Sequence, residues 1–67
     1  MSKSSLDRLI YMANQIAANQ AQEADPATAT ATHIKRYWDP RMKAMILAAP
    51  RDGLSPPAAA AIAQLGA

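Results

Sequence analysis

Three times along this 67-residue chain a short capping side chain stands directly before a proline: Asp25-Pro26, Asp39-Pro40 and Ser55-Pro56. In each pair the Asp or Ser oxygen can accept one of the backbone N–H groups that a helix leaves free in its first turn. The proline suits the first helical position, where its missing N–H costs nothing and its fixed φ is already helical. A chain punctuated in this way has little room for anything but short helices. A further start lies at Ser4 or Ser5, with Asp7 placed in the first turn where it favours the helix dipole.

From that start Leu6, Leu9, Ile10, Ala13, Ile16, Ala17 and Ala21 recur at helical spacing, which predicts an amphipathic helix from residue 5 to about 22. A second helix is expected over 26–38, with Ala27, Ala31, Ile34 and Trp38 on one face. Its alternating Ala-Thr run at 27–32 is strand-like in period, and threonine is a poor helix former. The cap at Asp25 and the continuation into Thr-His-Ile-Lys-Arg-Tyr-Trp favour helix all the same. Residues 40–49 set Met42, Met45, Ile46 and Ala49 on one stripe, and Pro50 ends it because the residue before a proline avoids the α region. After the turn Ala-Pro-Arg-Asp-Gly at 49–53, a last helix over 56–65 carries Ile62 and Leu65, with Gly66 expected as its left-handed terminating residue. The expected fold class is all-α, one domain over 1–67 built as a small bundle of three to four short helices.

Composition adds a constraint on stability. Half of the residues are hydrophobic, but half of those are alanine, with no Phe, no Val and one Trp. Alanine favours helix yet buries little area, so the hydrophobic gain barely offsets the entropy of ordering a chain this short. Cysteine is absent and there is one histidine, so neither a disulfide nor a metal can staple the fold. A partner subunit is therefore expected to complete the core. The formal charge of +2 comes from seven basic against five acidic residues, too mild an excess to imply nucleic acid or an acidic membrane. No stretch approaches the roughly 20 apolar residues that span a bilayer, and a cytoplasmic location is expected.

Candidates for chemistry are few. With one His, five carboxylates, no Cys and no GxGxxG, GxxxxGK(S/T) or HExxH pattern, the groups that catalysis or metal binding needs are scarce, so the chain by itself is expected to be neither an enzyme nor a cofactor carrier. The densest segment is His33-Ile-Lys-Arg-Tyr-Trp-Asp-Pro-Arg-Met-Lys43, with four of the seven basic residues and the only Trp, at a corner between helices. Tyr, Trp, Arg and Met are enriched in the centres of protein interfaces, which points to Tyr37, Trp38, Arg41 and Met42 as partner contacts, with Asp39 and Pro40 setting the corner's geometry. The alternative is that Trp38 anchors the chain's own core against Leu9, Ala13 and Ile34 while Lys35, Arg36 and Lys43 are solvated. A small nucleic-acid-binding or regulatory protein is the rival reading of the same cluster, since basic residues among aromatics can serve phosphates and bases. On the first helix Tyr11, Asn14, Gln15, Ala18 and Asn19 lie off the core stripe, and no charge occurs between Arg8 and Glu23. Such a neutral, amide-rich face suits burial against another protein, making Met12, Asn14, Gln15 and Asn19 further candidate contacts; the alternative is a solvated face of no consequence. A homodimer burying its alanine faces remains a third possibility.

Met12-Ala-Asn-Gln-Ile-Ala-Ala-Asn19 on the first helix, the His33-to-Met42 segment, and a Leu-Ser-Pro-Pro start to an alanine-rich end together resemble the delta subunit of NAD-dependent, molybdenum-containing formate dehydrogenases. The resemblance covers nearly the whole chain. It implies a soluble complex that oxidises formate to carbon dioxide and reduces NAD⁺ to NADH. The molybdopterin-type cofactor, iron–sulfur clusters, FMN and NAD would then belong to larger subunits. The delta chain would carry none of them and would support assembly or stability, chiefly through the catalytic alpha subunit, with no role for nucleic acid or membrane.

Overall fold

The computed structural model describes residues 5–66, and four helices account for most of them: α1 (Ser5–Asn19), α2 (Pro26–Tyr37), α3 (Pro40–Ala48) and α4 (Pro56–Gly66). Two of the three cap–proline pairs behave as their chemistry dictates. The Asp25 carboxylate accepts the Thr28 N–H at 3.2 Å and the Thr28 hydroxyl at 2.7 Å, and the Asp39 carboxylate accepts the Met42 N–H at 2.9 Å. At the third pair Ser55 contributes through its backbone: its carbonyl accepts the Ala59 N–H at 2.8 Å and its own N–H donates to Asn14. With prolines at both 56 and 57, two of the free first-turn donors are already gone, so a hydroxyl cap has less to satisfy. The alternative start at Ser4 lies outside the described residues.

Helix α1 is shorter than its apolar stripe. It ends at Asn19, and the chain then tightens through turn hydrogen bonds, Gln20 N–H to Ala17 O at 3.2 Å and Ala21 N–H to Ala18 O at 3.3 Å. Beyond Asn19 the stripe offers only Ala21, which is exposed, so another turn of helix would bury nothing. Gly66 also departs from expectation: it continues α4 and does not take the left-handed conformation.

The core draws on every helix: Leu9, Ala13 and Ala17 from α1, Ile34 and Trp38 from α2 and its end, Ile46 from α3, and Ala58 and Ile62 from α4, with Leu54 from the preceding turn. The broadest helix–helix contact is between α2 and α4. Ala31, Ala58 and Ala61 are all buried, and small side chains of this kind let two backbones approach closely. The Ala-Thr run resolves into separate duties: Thr28 joins the cap, while Thr30 is fully buried and its hydroxyl donates to the Pro26 carbonyl at 2.7 Å. That local bond lets a polar side chain sit in the core at no cost in unpaired groups. The radius of gyration is 11.0 Å, about the 11 Å expected of a compact domain this long.

Small residues at the centre leave larger ones at the edge. Ile10, Met12 and Ile16 of α1 and Met42, Met45 and Leu47 of α3 pack against the core while remaining partly in solvent. Tyr11 and Tyr37 are the exposed large hydrophobic side chains among the described residues.

Candidate functional site

The corner between α2 and α3 is two residues long. The Trp38 N–H still donates to Ile34 O at 3.0 Å, but Trp38 itself is extended (φ −87°, ψ 140°), and Asp39-Pro40 at once restarts a helix. This abrupt change of direction turns the indole inward. Trp38 is 5% exposed and belongs to the same core cluster as Leu9, Ala13 and Ile34, so of its two sequence readings the core one describes the free chain.

Its neighbours point the other way. Tyr37 is 69% exposed, leaning on the His33 ring at a centroid distance of 4.7 Å and an angle of 46°. Lys35, Arg36 and Arg41 are exposed on either side of the turn. Lys43 is half-buried and closes the corner, its Nζ donating to the Lys35 carbonyl at 3.0 Å. That contact neutralises a free carbonyl at the end of α2, as a cation near a helix C-terminus should. Met42 is partly covered at the edge of the core.

The amide-rich face of α1 divides. Asn14 is turned inside the molecule: its Nδ2 donates to Gly53 O at 2.9 Å, and its Oδ1 accepts the Ser55 N–H at 2.8 Å. One side chain thereby bolts the middle of α1 to the turn that launches α4. The turn also packs closely on the Ile10 side chain, for a Cβ on Gly53 would sit 3.2 Å from Cγ2 of Ile10. The other candidates on this helix stay on the surface: Gln15 donates to the Tyr11 hydroxyl at 2.8 Å, Asn19 is exposed at the helix end, and Met12 is half-buried.

Sequence reasoning missed Arg51. Its guanidinium reaches back over the end of α3, donating to Ala49 O at 2.8 Å and more loosely to Leu47 O at 3.4 Å and Ile46 O at 3.5 Å. The readable signal was an arginine immediately after a helix-stopping proline, placed to satisfy the last carbonyls. Gln64 was also missed; its amide donates to the Thr28 hydroxyl at 3.1 Å and ties α4 to the start of α2. The Thr28 hydroxyl, and then the Thr28 N–H, hold the Asp25 carboxyl below its ordinary value of 3.8.

Donors for a redox group are sparse. The sequence contains no cysteine to ligate iron–sulfur clusters, and no cluster of three or more His, Asp or Glu side chains among the described residues could hold a metal. No enclosed pocket is present among those residues. No described helix is long and apolar enough to cross a membrane.

What remains is a small helical surface whose distinctive features are the aromatic and basic corner and the partly covered α1 and α3 side chains. The sequence matches the family of NADH-dependent formate dehydrogenase delta subunits, FdsD, over residues 8–62. The chain belongs to this family. It is thus a delta subunit of a formate dehydrogenase complex, and the matched span runs from the first turns of α1 to the last buried isoleucine of α4. No curated protein and no solved structure matches the chain.

Proposed function

We propose that this delta subunit is a non-catalytic accessory of a cytoplasmic NAD-dependent formate dehydrogenase, docking on the large catalytic alpha subunit and stabilising or helping to assemble the complex. Formate oxidation and NAD⁺ reduction belong to the larger subunits, which would hold the molybdopterin-type cofactor, the iron–sulfur clusters and the FMN. The observation that carries the reading is the membership of a delta-subunit family by a chain whose core is edged with half-covered apolar side chains. Met12 on α1 and Met42 on α3 are of this kind, and the two helices pack against each other. Covering such side chains stabilises only the assembled state, by about 2.7 kcal/mol for the partner when the subunit is present at 100 times its dissociation constant. Tyr37, Arg41, Gln15 and Asn19 lie at the surface and would add polar and aromatic contacts. Asn14 and Trp38 would act from within, holding the shape that presents them.

The test is reconstitution of the purified larger subunits with and without the chain. The reading expects the chain to co-elute with the alpha subunit at fixed stoichiometry and to slow heat inactivation of formate-dependent NAD⁺ reduction. A chain that elutes alone and leaves the inactivation half-life unchanged refutes it.

A further inference from the structure

The charge of the molecule is unevenly placed. Residues 33–43 hold four cations against one carboxylate, while the rest of the chain holds four acids against three bases. The single acid in the corner, Asp39, is engaged by the Met42 N–H, and one of the cations, Lys43, is engaged by the Lys35 carbonyl. Lys35, Arg36 and Arg41 are left as exposed cations around a two-residue turn, next to an exposed Tyr37. In the free chain these charges repel one another and raise its energy slightly; a surface of opposite sign relieves that repulsion on contact. Arginine adds direction, because its planar fork pairs two-fold with a carboxylate, and the tyrosine offers a flat amphipathic face beside it.

We infer that the α2–α3 corner docks on a carboxylate-lined protein surface of the larger formate dehydrogenase subunits, with Arg36 and Arg41 as its pairing groups and Tyr37 as the contact between them. This rests on the accessory reading above and adds the chemistry of the partner's surface. An acidic protein surface fits better than nucleic acid. The corner's excess is only three charges, enough to release about three counterions from a duplex and too few for useful affinity near physiological salt.

The experiment measures binding of the full chain to the reconstituted larger subunits by size exclusion and biolayer interferometry, across about 0.05 to 0.5 M salt, where screening of exposed charges sets in. Four proteins are compared: wild type, Arg36→Glu/Arg41→Glu, Arg36→Lys/Arg41→Lys, and Ala60→Glu/Ala63→Glu, which adds acid at exposed positions of α4. The inference expects the arginine-to-glutamate pair to weaken binding by at least about tenfold, mostly in the association rate, and to abolish most of the salt dependence. The lysine pair should retain most of the affinity, and the α4 pair should behave as wild type. Circular dichroism should show all four folded with the same helix content, since none of the altered side chains is buried, and any melting shifts should stay as small as those a charge at a helix end produces. Wild-type binding that ignores both salt and corner reversal overturns the inference and leaves the accessory reading standing. An equal loss from the α4 pair overturns it too, since the effect would then be one of net charge. Absence of any wild-type binding overturns both. Tight, corner-dependent binding of a short DNA duplex near physiological salt would assign the corner to nucleic acid and overturn it as well.

Discussion

Asn14 offers the sharpest test of the packing described above, because its amide is used at both ends by the turn it holds. Replacing it with alanine removes the bond to Gly53 O, at 2.9 Å on the exposed side, and the bond from the Ser55 N–H, at 2.8 Å on the half-buried side. Each hydrogen bond is worth about 0.5–1.5 kcal/mol net, and a half-buried donor left unpaired costs about 1–3 kcal/mol, so Asn14→Ala should lose about 2 kcal/mol. For a domain this small that corresponds to a fall in melting temperature of roughly 8–16 °C. Asn14→Asp keeps an acceptor for the Ser55 N–H and loses only the donor to Gly53, so its loss at neutral pH should be about half as large. The assay is thermal and urea unfolding of the purified chain followed by circular dichroism. An alanine variant that melts within about 2 °C of wild type would refute the reasoning, being a change of under about 0.5 kcal/mol on the same scale. If that variant also bound the larger subunits more weakly, the amide would be serving the partner and not the turn.

Truncating Trp38 to alanine should cost about 3–5 kcal/mol, comparable to the whole stability of a domain this size, so the variant should show little cooperative unfolding at 25 °C. Arg51→Ala removes the guanidinium bond to the Ala49 carbonyl and the looser ones behind it and should cost about 1 kcal/mol, read as a lower urea midpoint with unchanged slope. The Asp25 carboxyl titrates below its ordinary value in the folded chain because the Thr28 hydroxyl and N–H bond its charged form. Its contribution is therefore complete above its unfolded value of 3.8 and is lost as pH falls through the lower folded value. Asp25→Asn removes that titration, so the stability gap between wild type and variant should narrow in acid; a gap independent of pH would show that the Thr28 bonds carry no charge dependence.

The helical fold was legible because its signals are local. Asp25 and Asp39 cap the helices their prolines begin, and the apolar spacing of Leu9, Ala13 and Ala17 puts all three in the core. What the sequence did not show lies where a local pattern meets a distant partner. The α1 stripe extends past residue 19 on paper, but only packing decides whether a further turn buries anything, and Ala21 finds nothing to cover it. Asn14, placed off the stripe by polarity and read as a partner contact, also has partners within the chain 39 and 41 residues away, at Gly53 and Ser55, where no periodicity points. Trp38 could be read either way from its neighbours, and the extended backbone before Asp39 settles its direction. The candidate surface was legible in residue type, as aromatic and basic groups at a corner, but which of them face outward depended on that same turn.

A chain with so little apolar bulk closes its core by letting alanines bring backbones together, and this choice shapes what a partner can find. Large aliphatic faces would have left an interface resembling a core cut in half, as obligate subunits show. Here Ile34, Ile46 and Ile62 are fully enclosed, and the outside holds half-covered methionines, two exposed tyrosines and a group of cations. That mixture has the make-up of interfaces between proteins that fold first and associate afterwards, in which charge sets the encounter and a few aromatic or guanidinium groups supply most of the free energy. The thin core then has a second consequence for the proposed docking. A domain of this size is expected to have only a few kcal/mol of stability, so affinity gained on a partner would be a large fraction of it, and the partner would govern how long the subunit stays folded as well as where it sits.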